Sequence, residues 1–152
     1  MELADYLARD RVIEIRGSTK REAIAELIDA AMASCAISDR RELEWALLHR
    51  EELMSTGIGL GIGVPHARLD SIERPCVAVG IHRTGLRDYE AIDGKPVQIV
   101  VLILAGKGQH ALYIRLLAAV TSLLKVAAVR ERLIAAKDTA EAFEILTGAK
   151  GS

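Results

Sequence analysis

Aromatic side chains are scarce in this chain of 152 residues, which has one tryptophan, three tyrosines and one phenylalanine. Because 51% of the residues are hydrophobic and only 3% are aromatic, the core must be aliphatic. Proteins that bind single-stranded nucleic acid stack the bases on several exposed aromatic rings, so the composition argues against that class. The length predicts a single domain over residues 1–152.

An excess of charge of one sign is also missing. Twenty Lys and Arg residues stand against 21 Asp and Glu residues, for a formal net charge of −1. This balance supplies no bulk attraction to nucleic acid or to an anionic membrane surface. We therefore expect neither of them as a partner.

Long apolar segments and targeting signals are absent from the sequence. The longest strongly apolar run, residues 99–105, is about one third of the length that crosses a bilayer. The first five residues include Glu2 and Asp5, unlike the basic start of a signal peptide. The sequence predicts a cytoplasmic protein that is not embedded in a membrane.

Cysteine is scarce as well. Cys35 and Cys76 are 41 positions apart, and the chain has no CxxC pair and no Cys/His cluster. We expect two free thiols and no structural zinc site. No residue pattern requires a metal or an organic cofactor.

Strand and helix patterns alternate along the chain. Runs of β-forming residues predict strands near residues 12–15, 77–82 and 97–104. Apolar residues at helical spacing predict helices over 19–34 and about 39–53, and three more helices after Gln109. Ser38 or Asp39, and Asp138 or Thr139, are candidate helix caps. We predict an α/β fold in three α/β/α layers, with a small mixed sheet of four to five strands flanked by helices.

Glycine occupies every second position from Gly57 to Gly63. In extended backbone this alternation would put all four glycines on one side and leave a bare face that another group approaches closely. The spacing fits neither GxGxxG nor GxxxxGK[ST], and HExxH and GxSxG are absent.

A histidine, His66, follows the glycines and Pro65. Neutral imidazole, with a pKa of about 6.5, is a good nucleophile near neutral pH. Bare amides and the nearby arginines Arg50 and Arg68 suit an arriving phosphoryl group. Residue types alone leave two interpretations open: a phosphoryl acceptor, or a solvated histidine in a turn.

Residues 50–66 resemble the signature of the type-2 IIA domain of the bacterial phosphotransferase system (PTS), in its fructose/mannitol and nitrogen-regulatory branch. The segments that match are Arg50-Glu51, Ser55-Thr56-Gly57-Ile58-Gly59 and Gly61-Ile62-Gly63-Val64-Pro65-His66, followed by Gly94-Lys95-Pro96-Val97 and Arg130-Glu131-Arg132-Leu133. The resemblance spans nearly the whole chain.

The resemblance implies a site. His66 corresponds to the phosphorylated histidine, Arg50 to its neighbouring arginine, and His110 to a second histidine that opens a helix and contacts the phosphoryl group. Arg68 is not a residue of the family pattern, and we interpret it as a solvated side chain. The segment corresponding to a phosphoryl-binding loop comprises Ser55, Thr56, Gly57, Gly59, Gly61, Gly63 and Pro65.

The resemblance also implies a function, that of a phosphotransferase without metal or cofactor. His66 would accept a phosphoryl group from an HPr-like protein, and then pass it to a IIB domain or signal through its phosphorylation state to a regulatory target. The nitrogen-regulatory type is slightly favoured over sugar transport. An exposed apolar rim of Leu60, Ile62 and Val64 would dock these partners.

An alternative function is a non-catalytic, IIA-like regulatory binding module of a transporter. Two differences from the family pattern would favour it: the loop from Ala105 to His110 is short, and Gly63 and Ala67 replace other small residues.

Overall fold

The computed structural model describes residues 3–148, which form six strands and five α-helices. The strands are β1 (Val12–Glu14), β2 (Gly57–Gly59), β3 (Ile62–Gly63), β4 (His66–Arg68), β5 (Cys76–Leu86) and β6 (Val97–Ala105). The helices are α1 (Lys20–Ser34), α2 (Arg40–Leu53), α3 (His110–Leu124), α4 (Ala127–Ala135) and α5 (Thr139–Thr147). All the helices that the sequence predicts are therefore present.

Short polar side chains begin three of the helices. Asp39 at α2 accepts a hydrogen bond from the backbone N–H of Glu42, and Asp138 at α5 accepts one from that of Glu141. These bonds satisfy amides that have no partner inside the helix. At α1, Thr19 and Glu22 form a reciprocal capping box.

The strands form one mixed sheet in the order β1-β5-β6-β3-β2, with β4 also paired to β6. The long strands β5 and β6 are antiparallel, whereas β1 pairs with β5 and both β3 and β4 pair with β6 in parallel. The prediction of four to five strands was too low, because residues 57–68 form three short strands.

The alternating glycines form a hairpin, so the expectation of one extended segment was wrong. Gly59, Leu60 and Gly61 have φ angles of 94°, 61° and 76°, which reverse the chain between β2 and β3. Glycine adopts a positive φ at little energetic cost, and glycines stand on both sides of Leu60 in this turn. The reversal breaks the two-residue periodicity that the extended interpretation required.

Helices cover both faces of the sheet, as predicted. Buried residues of α1 and α2, including Leu27 and Leu43, pack on one face. Buried residues of α3, α4 and α5, including Leu116 and Leu133, pack on the other. This confirms the three-layer α/β/α architecture.

The two cysteines form a disulfide, so the expectation of free thiols was wrong. Cys35 ends α1 and Cys76 begins β5, and their Cα atoms are 6.4 Å apart. Packing of α1 on β5 brings them within the range that a disulfide spans. Their separation of 41 residues along the chain carried no information about this proximity.

Within residues 3–148, no single helix is long and apolar enough to cross a membrane, although α3 and α4 together reach that length and composition and are bent by 83°.

The α3 helix offers a test of this core. Leu116 is fully buried, so we expect Leu116→Ala to lower the free energy of unfolding by about 2–5 kcal/mol through lost burial and a residual cavity. Ile114 on the same helix is 46% exposed, so Ile114→Ala should change it by about 0.5 kcal/mol or less. Urea denaturation measures both. Equal losses would contradict the assignment of the buried face.

Candidate active site

Three of the residues that the sequence singles out line one surface cavity of about 410 Å³: Arg50, His66 and His110. Arg50 lies in the last turn of α2, His66 begins β4 and His110 begins α3. The other residues that line the cavity are Ala46, Ala67, Arg68, Leu69 and Tyr113. Residues far apart in the sequence thus meet where α2 ends and where β4 and α3 begin.

The short turn between β6 and α3 brings His110 to this cavity. His66 pairs with Ile103 in the parallel register of β4 and β6, so β6 ends beside β4. Within the turn, the N–H of Gly106 donates to Gln109 Oε1 at 2.6 Å, and α3 begins at the next residue. The short loop therefore brings His110 to the same cavity as His66.

The tautomer of His66 follows from its own hydrogen bond. Nδ1 lies 2.9 Å from the carbonyl oxygen of Val64. A carbonyl oxygen only accepts, so Nδ1 carries the proton when the ring is neutral. The lone pair is then on Nε2, which makes Nε2 the nucleophilic atom of the ring.

The environment keeps His66 neutral. Burial of the ring lowers the pKa of His66 below 6.5, and the positive charges of Arg50 and Arg68 lower it further. The Val64 carbonyl and the charge of Glu51 oppose this shift in the pKa. Desolvation has the largest effect because it disfavours the charged imidazolium.

Arg68 and Tyr113 also line the cavity. The sequence suggested Arg68 as a phosphoryl-binding residue but favoured a solvated side chain, and it gave no indication of Tyr113. Arg68 is exposed to solvent, as expected, but it also lines the cavity and lies over the Tyr113 ring at 5.9 Å. The Tyr113 ring centroid is 5.3 Å from that of His66 and 6.3 Å from that of His110. The sequence spacing could have indicated both residues. Arg68 is two positions after His66 in a strand, and Tyr113 is one turn after His110 in a helix, so each lies on the same face as its histidine.

The predicted phosphoryl-binding loop is not among the cavity's lining residues. Its members Ser55, Thr56, Gly57, Gly59, Gly61, Gly63 and Pro65 bind or contact other parts of the described chain. The Ser55 hydroxyl donates to the carbonyl oxygen of Glu90 at 2.6 Å. The Thr56 hydroxyl donates to the carboxylate of Glu51 and accepts from the Tyr89 hydroxyl at 2.7 Å.

The glycines of this loop admit close protein contacts. A Cβ on Gly57 would lie 2.1 Å from the carbonyl oxygen of Glu90, and one on Gly63 would lie 2.6 Å from Cζ of Tyr89. The bare backbone is thus approached by residues 89–91 of the same chain. Glycine at these positions serves packing in the structure.

An ion pair with little exposure involves Glu51, the residue after Arg50. The Nζ of Lys20 is 2.9 Å from Glu51, and the two side chains are 13% and 4% exposed. Lys20 also lies over the ring of Tyr89, whose hydroxyl reaches Glu51 through Thr56. Burial raises the pKa of Tyr89, so its phenol stays protonated as the donor. This network joins α1, the end of α2 and the chain that leads to His66.

The predicted apolar rim was wrong for two of its three residues. Ile62 and Val64 are 1% and 2% exposed because they fill the core beside α3. Leu60 is 51% exposed at the hairpin turn but is not among the lining residues of the cavity. The nearest exposed aromatic residue along α2 is Trp45, which stacks on His49 at 4.6 Å and precedes Ala46 of the cavity.

In the part of the chain that the structure describes, no group of three or more His, Cys, Asp or Glu side chains is arranged to hold a metal ion.

Sequence comparison places the chain in a known family. Residues 7–149 match the family described as "Phosphoenolpyruvate-dependent sugar phosphotransferase system, EIIA 2". The chain therefore belongs to the type-2 EIIA family of the PTS.

Relatives come from both branches of this family. The "PTS system fructose-specific EIIA component" of Haloferax volcanii is 34% identical over 129 residues, 85% of this chain and 83% of that protein. The "Nitrogen regulatory protein" of Bradyrhizobium diazoefficiens is 30% identical over 149 residues, 96% of this chain and 95% of that protein. The "PTS system fructose-specific EIIABC component" of Bacillus subtilis is 30% identical over 147 residues, but the chain spans only 23% of its length.

Solved structures share the fold. Nitrogen Regulatory Protein IIA-Ntr from Neisseria meningitidis superposes with a TM-score of 0.86 at 23% identity, over 95% of this chain and 99% of that one. In a complex of enzyme IIA and phosphorylated enzyme IIB for mannitol from Escherichia coli, the matching chain has a TM-score of 0.78 at 26% identity, over 93% of this chain and 96% of that one. In that complex, an enzyme IIA of this fold is bound to phosphorylated enzyme IIB.

The charge environment of His66 is testable by titration. We expect the pKa of His66 to lie below 6.5 and to rise in Arg68→Gln, because that variant removes a positive charge beside the ring. Lys137→Gln, at a different cavity, should leave this pKa unchanged. NMR of the imidazole carbons measures each value. A pKa unchanged in Arg68→Gln would contradict the electrostatic role of Arg68.

The same shift affects stability. Because the pKa of His66 is lower in the folded state, the unfolded chain takes up its proton first as the pH falls. The contribution of His66 to the free energy of unfolding is therefore largest above pH of about 6.5 and declines below it.

Packing of Gly63 against Tyr89 gives a second test. A Cβ at position 63 would overlap the Tyr89 ring, so we expect Gly63→Ala to lower the free energy of unfolding by about 1–3 kcal/mol. Gly108→Ala is the matched control, since no atom lies within 4 Å of a Cβ there. Thermal denaturation compares the two variants. The packing explanation fails if both are equally stable.

Proposed function

We propose that this protein is a histidine phosphocarrier in which Nε2 of His66 accepts a phosphoryl group from an HPr-like protein. The observation that carries the proposal is the state of His66, whose Nδ1 is bound to Val64 and whose lowered pKa keeps the ring neutral. Membership of the EIIA family supports a role in phosphoryl transfer.

The transfer requires an in-line attack. The Nε2 lone pair of His66 attacks phosphorus as the P–N bond of the donor breaks, and the donor imidazole keeps the electron pair of that bond. Holding both groups in position supplies much of the rate, because little covalent chemistry is left for the protein to do. The Nδ1 bond to Val64 holds the attacking ring in position.

Three positive or polar groups would stabilise the phosphoryl oxygens. Arg50 and Arg68 line the cavity, and a guanidinium binds phosphate oxygens in a bidentate manner. His110 begins α3, whose first turn has no acidic residue and whose N-cap, Gln109, makes no side-chain capping bond. The amides at this helix end favour an anion. Bound phosphate would therefore meet donors from three elements.

We assign Ser55, Thr56 and the glycines a supporting role in this proposal. They hold the β2–β3 hairpin against residues 89–91. Pro65 directly precedes His66. The hairpin thereby supports the Val64 carbonyl that binds Nδ1.

The proposed partners are an HPr-like donor and either a IIB domain or a regulatory target. The mannitol IIA–IIB complex supports a IIB-type partner. Trp45, 65% exposed on α2 beside the cavity, is the residue that we propose for apolar contact with these proteins. Aromatic side chains are enriched where proteins bind one another.

We favour the nitrogen-regulatory branch and a cytoplasmic location. The match to the Bradyrhizobium protein supports this choice because it runs over nearly the full length of both chains. In that role the phosphorylation state of His66 would decide which target protein binds. The fructose-specific relative from Haloferax makes sugar transport the competing assignment.

Mass spectrometry tests the proposal. Incubation with phosphoenolpyruvate, enzyme I and HPr should add about 80 Da, the mass of one phosphoryl group. His66→Ala should abolish the addition, whereas His49→Ala, which alters the exposed ring stacked on Trp45, should retain it. Two-dimensional NMR of the labelled imidazole should assign the new bond to Nε2. Absence of labelling with the cognate donor would favour a non-catalytic binding module.

A further inference from the structure

We propose that the Cys35–Cys76 disulfide is a reversible thiol-exchange site, and that its redox state alters the cavity of His66. The effect on phosphoryl transfer rests on the proposed function, whereas the exchange chemistry does not. A disulfide in a cytoplasmic protein is usually transient and redox-sensing, since thiols there are kept reduced. In the proposed cytoplasmic location, this bond would therefore act as a redox-sensitive regulator.

The two sulfur atoms differ in access. Cys76 is 2% exposed, whereas Cys35 is half-buried and lines a cleft of about 460 Å³. Arg11, Arg74 and Asp5 line the same cleft. The two arginines attract an anion such as the thiolate of a reductant. Because only Cys35 is accessible, a dithiol reductant would attack from the Cys35 side.

Reduction would proceed by two successive thiol–disulfide exchanges. A thiolate of the reductant attacks Sγ of Cys35, the bond between the two cysteines breaks, and Cys76 leaves with the electron pair and takes up a proton. The second thiol of the reductant then attacks the mixed disulfide and releases Cys35 as a thiol. The reductant ends as a disulfide, and glutathione disulfide reverses the reaction.

A segment that we call the strap, residues 69–75, runs from β4 to the disulfide. It pairs with the residues directly after Cys35. Ile37 and Ile72 form an antiparallel bridge, and the N–H of Ser38 donates to the carbonyl of Ser71 at 3.1 Å. The disulfide therefore closes a pairing that fastens the strap to the end of α1.

The other side of the strap contacts the cavity. Its first residue, Leu69, follows Arg68, lines the cavity and donates its N–H to the carbonyl of Ala105 at 3.0 Å. Gln109, the residue before His110, donates from Nε2 to the carbonyl of Glu73 at 3.3 Å. A Cβ on Gly106 would lie 2.7 Å from the carbonyl oxygen of Ile72, so the strap abuts the turn that leads to α3. Loosening the strap would free both Arg68 and His110.

The test compares oxidised and reduced protein. A dithiol reductant under native conditions should yield two protein thiols, and backbone hydrogen–deuterium exchange should become faster in residues 69–75. Phosphorylation of His66 should slow by about fivefold, the low end of ordinary coupling between sites. Glutathione disulfide should restore the bond, the slow exchange and the rate.

The Cys35→Ala/Cys76→Ala double variant is the matched control. It should behave like reduced protein and ignore the reductant. Should it fail to fold, the reduced wild-type chain alone carries the comparison. A disulfide that resists reduction in the folded protein would overturn the proposal. So would equal hydrogen exchange and equal phosphorylation rates in both redox states. Faster hydrogen exchange in the reduced protein, without phosphorylation in either state, would contradict the phosphocarrier function and leave the thiol-exchange site intact.

Discussion

The parallel pairing of β4 with β6 is the constraint on which the cavity depends. It aligns His66 with Ile103, near the end of β6, and the chain needs only a short turn to start α3 at His110. All of β4 lies beside the last three residues of β6, so the strand that begins with His66 adjoins the turn that leads to α3. This backbone register brings the two histidines to one cavity.

Electrostatics and tautomer act together at His66. The carbonyl of Val64 holds the proton on Nδ1, while burial and two arginines keep the pKa of the ring low. The same arginines that disfavour the imidazolium favour an anionic phosphoryl group. In the proposed function, one arrangement of charge would thus serve both the free nucleophile and its phosphorylated form.

Polar contacts around a buried carboxylate stabilise the end of α2 that carries Arg50. Glu51 follows Arg50 in α2 and is bound by both Lys20 and Thr56. A buried carboxylate is costly unless it is paired and hydrogen-bonded, and here both conditions are met. The strap and the disulfide also support the cavity.

The sequence by itself determined the helices, the two long strands, the layer order and the family motif that identified His66, Arg50 and His110. Local periodicity, capping residues and short motifs carry this information because they depend on neighbours along the chain. Only the tertiary structure decided that the glycines turn a hairpin, that Arg68 and Tyr113 join the cavity and that Cys35 meets Cys76. The disulfide and the meeting of β4 with the start of α3 depend on residues distant in sequence becoming close in space. The hairpin depends on positive φ angles at Gly59, Leu60 and Gly61, which the alternation of glycines does not specify.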